Sequence, residues 1–199
     1  MKYVLATLAL TGLLSLTACT ESARGYVRLI GADMGNGSAV VLSPGVLLTA
    51  KHVAEAAPEL FIEPQHIKVK VLRVSKDHDL ALVSAPGVEC PCVELAPYAP
   101  SIDDEVTIVG FPLNGTVKTQ IVTKGTLQGI LENSYVTTAP ATFGNSGGGL
   151  FVNNKLVGIL VTMAGQPVPS PFGTMGTPVN YLTMSINWQT IKDFIDGKA

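Results

Sequence analysis

Three residue types that together carry out acyl transfer stand far apart in this chain. His52 lies in Thr49-Ala50-Lys51-His52-Val53, Asp79 in Asp77-His78-Asp79-Leu80-Ala81, and Ser146 in Gly144-Asn145-Ser146-Gly147-Gly148. A serine hydroxyl is a poor nucleophile at neutral pH until a neutral imidazole accepts its proton. The imidazole in turn needs a carboxylate on its other nitrogen to hold the tautomer and to stabilise the imidazolium that forms. Glycine costs backbone entropy, so the cluster around Ser146 needs a geometric reason. One such reason is a tight turn whose Gly144 and Ser146 N–H groups converge where a carbonyl oxygen becomes an oxyanion. Gly147 and Gly148 would then let substrate backbone come close. Taken alone, the same five residues also read as a glycine-rich hairpin turn with an incidental serine. The order His, Asp, Ser is one of the orders known for this machinery. Asp77 is a rival to Asp79, since a strand would place both on one face and His78 on the other.

These residues need a scaffold, and the chain around them reads as short strands broken by turns. Strands are expected over 26–30, 38–42, 46–49, 66–74 and 79–84, with Gly35-Asn36-Gly37 and Ser43-Pro44-Gly45 as turns. The stretch 66–74 alternates, with Ile67, Val69 and Val71 set against Lys68, Lys70 and Leu72. His52 follows the third strand at the start of a short helical turn, and His66 reads as a surface residue. A Pro- and Cys-bearing connector runs from Pro86 to Pro100. Further strands are expected over 105–110, 117–130, 135–139, 156–162 and 178–186. A Gly/Pro/Ser-rich loop over 164–177 is long enough to be functional. A closing helix is capped by Asn187, carries Trp188, Ile191, Phe194 and Ile195 on one face, and ends at Gly197. The methionines show no metal-like spacing and read as packing or loop residues. This pattern indicates an all-β chain, barrels or a sandwich, with one terminal helix.

Composition bounds the rest. The 199 residues are 47% hydrophobic and 14% charged, enough for one core or two small ones sharing an interface. With Lys+Arg 13 against Asp+Glu 15 and no basic cluster, no nucleic-acid partner is expected. The N-terminus has a positive head, Met1-Lys2-Tyr3, then an apolar run from Val4 to Leu16 that is short for a membrane span. Leu16-Thr17-Ala18-Cys19 resembles the lipobox of bacterial lipoproteins. That resemblance implies a signal peptide over 1–18, cleavage before Cys19, acylation of Cys19 and a linker over 19–25. Thr20 suggests export to the outer membrane, facing the periplasm. An ordinary cleaved signal is the other reading, although Leu16 is not the small residue it would want. Cys90 and Cys92 remain; an oxidising space favours a disulfide, and the small ring it closes favours reduced thiols. Structural zinc takes about four ligands, and no Cys or His follows Cys92, so no metal and no cofactor are expected.

The three segments together resemble the catalytic signatures of trypsin-like serine proteases, and among these the bacterial HtrA/Deg-type peptidase domain. Val106-Thr107-Ile108-Val109-Gly110-Phe111-Pro112 and Leu156-Val157-Gly158-Ile159 add to the resemblance, which covers about 31–195. It implies two six-stranded antiparallel β-barrels of the chymotrypsin type with a C-terminal helix. The first, over 26–100, would supply His52 and Asp79; the second, over 101–199, would supply Ser146. It further implies a serine endopeptidase acting on a protein or peptide through an acyl-enzyme, with Gly144 and Ser146 as oxyanion donors. The first substrate pocket would be built from Pro140, Ala141 and Thr142 at its base and Leu160, Val161 and Thr162 along its wall. None is acidic, so a small or apolar residue before the scissile bond is expected. Phe143 belongs either to the pocket rim or to the core. Asn145 stands where digestive trypsins carry an aspartate that pairs with a freed N-terminus, so that activation route is not expected. Val53 replaces the cysteine that follows the histidine in animal trypsins. Only four residues follow Ile195, so no PDZ-like domain is expected. A catalytically idle peptide-binding lipoprotein on the same fold is the alternative.

Overall fold

The computed structural model describes residues 26–31, 35–112, 118–163 and 182–198. The signal segment 1–18, Cys19, the linker 19–25 and the loop 164–177 lie outside the described residues. The first half forms six strands: β1 (Tyr26–Gly31), β2 (Asn36–Ser43), β3 (Val46–Thr49), β4 (Leu60–Glu63), β5 (Ile67–Val74) and β6 (Ala81–Ser84). A one-turn helix, α1 (Lys51–Ala54), follows β3. The strands close into a barrel in the order β1-β2-β3-β6-β5-β4, with β4 pairing back onto β1. Local expectations change in several places. Asn36 and Gly37 belong to β2, opposite Ile30 and Leu29, rather than to a turn. Gly37 is there for close approach: a Cβ at this position would lie 2.4 Å from a Val53 methyl under α1. The period-two pattern of β5 holds only to Val69, because the register slips between Val71 and Arg73 and leaves Val71 and Leu72 exposed. Strand β4, Leu-Phe-Ile-Glu, is too short to show a period.

The second half repeats the architecture with β7 (Glu105–Gly110), β8 (Ile121–Ile130), β9 (Ser134–Thr137), β10 (Gly149–Val152), β11 (Lys155–Met163) and β12 (Thr183–Ile186). They close in the order β10-β11-β12-β9-β8-β7, and β7 pairs with β10. The apolar run after the glycine cluster is thus a strand of its own. The fold is therefore two closed six-stranded antiparallel barrels, completed by α2 (Trp188–Ile195). In the connector, Cys90 and Cys92 are joined as a disulfide.

Three apolar clusters hold this arrangement. Leu29, Val41, Leu47, Ile62 and Val83 fill the first barrel, and Val106, Ile108, Leu127, Leu150 and Leu160 the second. The third joins the two halves. Val40, Leu48 and Leu80 of the first meet Phe151, Leu156 and Ile159 of the second, together with Ile191 and Phe194 of α2. Fully burying such side chains is worth about 1.5–3 kcal/mol each. The helix begins as its sequence indicates: the Asn187 side chain accepts from the Thr190 N–H at 3.0 Å. At its other end the Arg73 guanidinium, from the first barrel, donates to the Phe194 and Ile195 carbonyls and lies 4.5 Å over the Phe194 ring.

Candidate active site

Pairing of Thr49 with Ala81 sets the end of β3 beside the start of β6. The residues just past one strand and just before the other therefore meet. His52 sits in α1, whose Val53 and Ala54 are buried, while its own side chain is half exposed. Asp79 lies in the turn before β6, not in the strand itself. That turn is closed by the Ser75 N–H donating to Leu80 O and the His78 N–H donating to Ser75 Oγ. Lys51 Nζ braces it by donating to Ser75 O at 3.0 Å. Asp79 then receives two bonds from one residue: Oδ2 is 2.6 Å from His52 Nδ1, and Oδ1 accepts the His52 backbone N–H at 2.8 Å. Partial burial pushes the Asp79 carboxyl up, but the bonds from the His52 ring and N–H, with its charge and a further bond from Lys51, outweigh burial. The carboxyl is held below its ordinary value of 3.8. Asp77 is exposed and takes no part in this pair. His66 stacks on Phe61, with its ring Nδ1 3.0 Å from Glu63 Oε1, away from the pair.

Ser146 lies in the loop that joins β9 to β10. Gly144 and Gly147 have φ of 98° and 83°, a region that a side chain resists, which accounts for two of the glycines. The loop is anchored from three directions. Asn145 N–H donates to Thr142 O at 3.1 Å and Gly147 N–H to Leu160 O at 2.7 Å, while Ser146 O accepts from the Ser38 N–H of the first barrel at 2.8 Å. Among the described residues, neither the Gly144 nor the Ser146 N–H has a backbone acceptor.

His52 and Ser146 both line two cavities. One, about 380 Å³, is lined by Thr142, Leu160, Val161, Thr162 and Met163. The other, about 310 Å³, is walled by Leu29, Val53, Ala57 and Leu60. Phe143 lines both and is 62% exposed, so it belongs to the rim and not to the core. Pro140 and Ala141, expected at the pocket base, are not among the residues that line either cavity. The Pro140 carbonyl accepts from Thr123 Oγ1, and Ala141 is buried in the second barrel's core. Met163, read from sequence as packing or loop, is a wall residue. Its place in β11, next to Thr162, was the available signal. The wall of the second cavity left no such mark, because it is assembled from three separate segments. Among the described residues, the Ser146 hydroxyl makes no hydrogen bond to the His52 ring.

The model of the trypsin-like peptidase domain family matches residues 37–159, a span that holds α1, the Asp79 turn and the Ser146 loop. This chain belongs to that family. Solved structures agree on the fold of the trypsin-like peptidase domain. The serine endoprotease from Yersinia pestis superposes with a TM-score of 0.73 at 24% identity, covering 88% of this chain and 63% of that one. The inactive form of Rv3671c protease gives 0.70 at 15% identity, covering 88% and 89%. An inactive serine-to-alanine mutant of Rv3671c from M. tuberculosis H37Rv gives 0.69 at 15% identity, covering 87% and 85%. This chain thus spans less than two thirds of the length of the Yersinia chain. No curated protein matches it in sequence.

Proposed function

We propose that this trypsin-like peptidase domain is a serine endopeptidase using Ser146, His52 and Asp79. The observation that carries the reading is the 2.6 Å contact between His52 Nδ1 and Asp79 Oδ2, with Ser146 facing the same two cavities as His52. With Nδ1–H donated to Asp79, the imidazole presents an unprotonated Nε2. Ser146 Oγ attacks the scissile carbonyl carbon as its proton passes to Nε2, and the oxyanion is taken up by the Gly144 and Ser146 N–H groups. Collapse breaks the C–N bond, Nε2 returns the proton to the amine, and the acyl group stays on Ser146. Water then repeats the sequence to free the acid. Removal of one oxyanion donor typically raises the barrier by about 2.7–4 kcal/mol.

The wall of Leu160, Val161, Thr162 and Met163 carries no carboxylate, which supports a small or apolar residue before the scissile bond. The apolar wall of the other cavity, which shares Phe143, suits the leaving-group side. A second reading, a peptide binder whose catalysis is idle, is favoured by the missing Ser146–His52 hydrogen bond. A fluorophosphonate separates the two. Covalent labelling that disappears in Ser146→Ala is expected for the enzyme; a folded wild type that never labels would establish the binder. The lipobox supports a second part of the proposal, a chain exported and anchored through lipid on Cys19. Cys19→Ser should then leave the membrane fraction on cell fractionation, and its retention there would rule the anchor out.

A further inference from the structure

We infer that the Ser38 hydroxyl is a positioning group for the oxyanion-binding turn, reaching across from the other barrel; the inference rests on the endopeptidase reading. Ser38, in β2, is 1% exposed and heads an otherwise apolar run, Ala39-Val40-Val41-Leu42. Nothing in strand packing calls for a hydroxyl there, yet every polar atom of the residue is engaged. Its N–H donates to Ser146 O at 2.8 Å, and its C=O accepts from the buried Thr49 Oγ1 at 2.7 Å. Its Oγ lies 2.9 Å from the Phe111 N and 2.8 Å from Gly144 O. The Phe111 N–H can only donate, so the single proton on Oγ is directed at the Gly144 carbonyl.

That bond decides the orientation of one peptide unit. The unit between Gly144 and Asn145 is held at its N–H end by Thr142 O at 3.1 Å and at its C=O end by Ser38 Oγ. Gly144, at φ 98°, has no side chain to resist rotation. Without the hydroxyl the unit hangs from the longer of its two bonds, and the Gly144 N–H beside it loses its fixed direction. Oxyanion stabilisation depends on donors already aimed before charge develops, and a small misplacement costs about 10²-fold in rate. Phe111, whose N–H polarises the hydroxyl, is itself tied to β2: its carbonyl accepts from Asn36 Nδ2 at 2.9 Å. The first barrel thereby grips the turn on both sides of Asn145, at Gly144 through a side chain and at Ser146 through backbone.

The test uses full-length wild type, Ser38→Ala and Ser38→Thr, each normalised to folded protein by near-ultraviolet circular dichroism. Two quantities are read: the rate of covalent labelling by a fluorophosphonate, and kcat and KM on a peptide selected by library cleavage. Ser38→Ala is expected to slow labelling and lower kcat by about 10–100-fold with KM changed less than about threefold, whereas Ser38→Thr keeps the hydroxyl and stays within about threefold of wild type. Labelling by Ser38→Ala within about twofold of wild type would overturn the inference and leave the endopeptidase standing, as would a rise in KM at constant kcat. Ser38→Thr as slow as Ser38→Ala would overturn it too, since packing and not the proton would then be at issue. If Ser38→Ala does not fold, Ser38→Cys, of similar size but a weak donor, carries the same expectation. A wild type that neither labels nor cleaves overturns the endopeptidase reading and this inference together.

Discussion

Asp79 shows how little sequence is needed to hold an imidazole. One carboxylate takes both the ring Nδ1–H and the backbone N–H of His52, so ring and helix start are oriented by the same group. Asp79→Asn should cost about 10⁴-fold in labelling and turnover, because an amide that donates to Nδ1 selects the wrong tautomer. The carboxyl also has a signed pH dependence. Its folded value lies below its ordinary 3.8, so the stability it contributes is complete above that value. It is lost as the pH falls through the lower folded value. A carboxyl-carbon NMR titration of Ser146→Ala should therefore give an Asp79 midpoint under 3.8, and a midpoint at or above it would contradict the pairing.

Among the elements, α1 and α2 do different work. The one-turn α1 is held chiefly by its buried Val53 and Ala54 and by Asp79, since a single turn has almost no stability of its own. The longer α2 packs into the cluster that joins the two barrels and is fastened at both ends. Asn187 caps its start and also reaches Glu132 O, Trp188 Nε1 donates to Ala96 O, and Arg73 meets its last carbonyls. Asn187→Ala should destabilise the protein by about 1 kcal/mol, lowering Tm by about 2–4 °C. Labelling per folded molecule should be unchanged, because α2 touches neither cavity. Equal melting of mutant and wild type would show that the cap is not felt.

For the molecule as a whole, the site exists only while the barrels stay together. His52 and Asp79 belong to one and Ser146 to the other, and the shared cluster around Leu48, Leu80, Leu156 and Phe194 sets their relation. Phe194→Ala should cost about 3–5 kcal/mol, as a fully buried ring leaves a cavity. Heating should then shift Trp188 fluorescence to the red and abolish fluorophosphonate labelling in one transition at a lowered midpoint. Two separated transitions would show barrels that unfold independently.

Residue types and local period determined much of this in advance. The limits of β3 and β7 follow from short apolar runs between turn residues, Asn187 from its capping side chain, and the candidate triad from three segments whose chemistry makes sense only together. Four-residue strands such as β4 and β10 show no period, and the bulge at Leu72 breaks one that looked regular. The tertiary structure alone decided which residues share a cavity, that Ala141 is core and Phe143 rim, and that a serine in β2 grips a glycine 106 positions later. The reason is geometric: strand periodicity and turn chemistry act over a few residues, whereas a cleft between two closed barrels is set by how they pack.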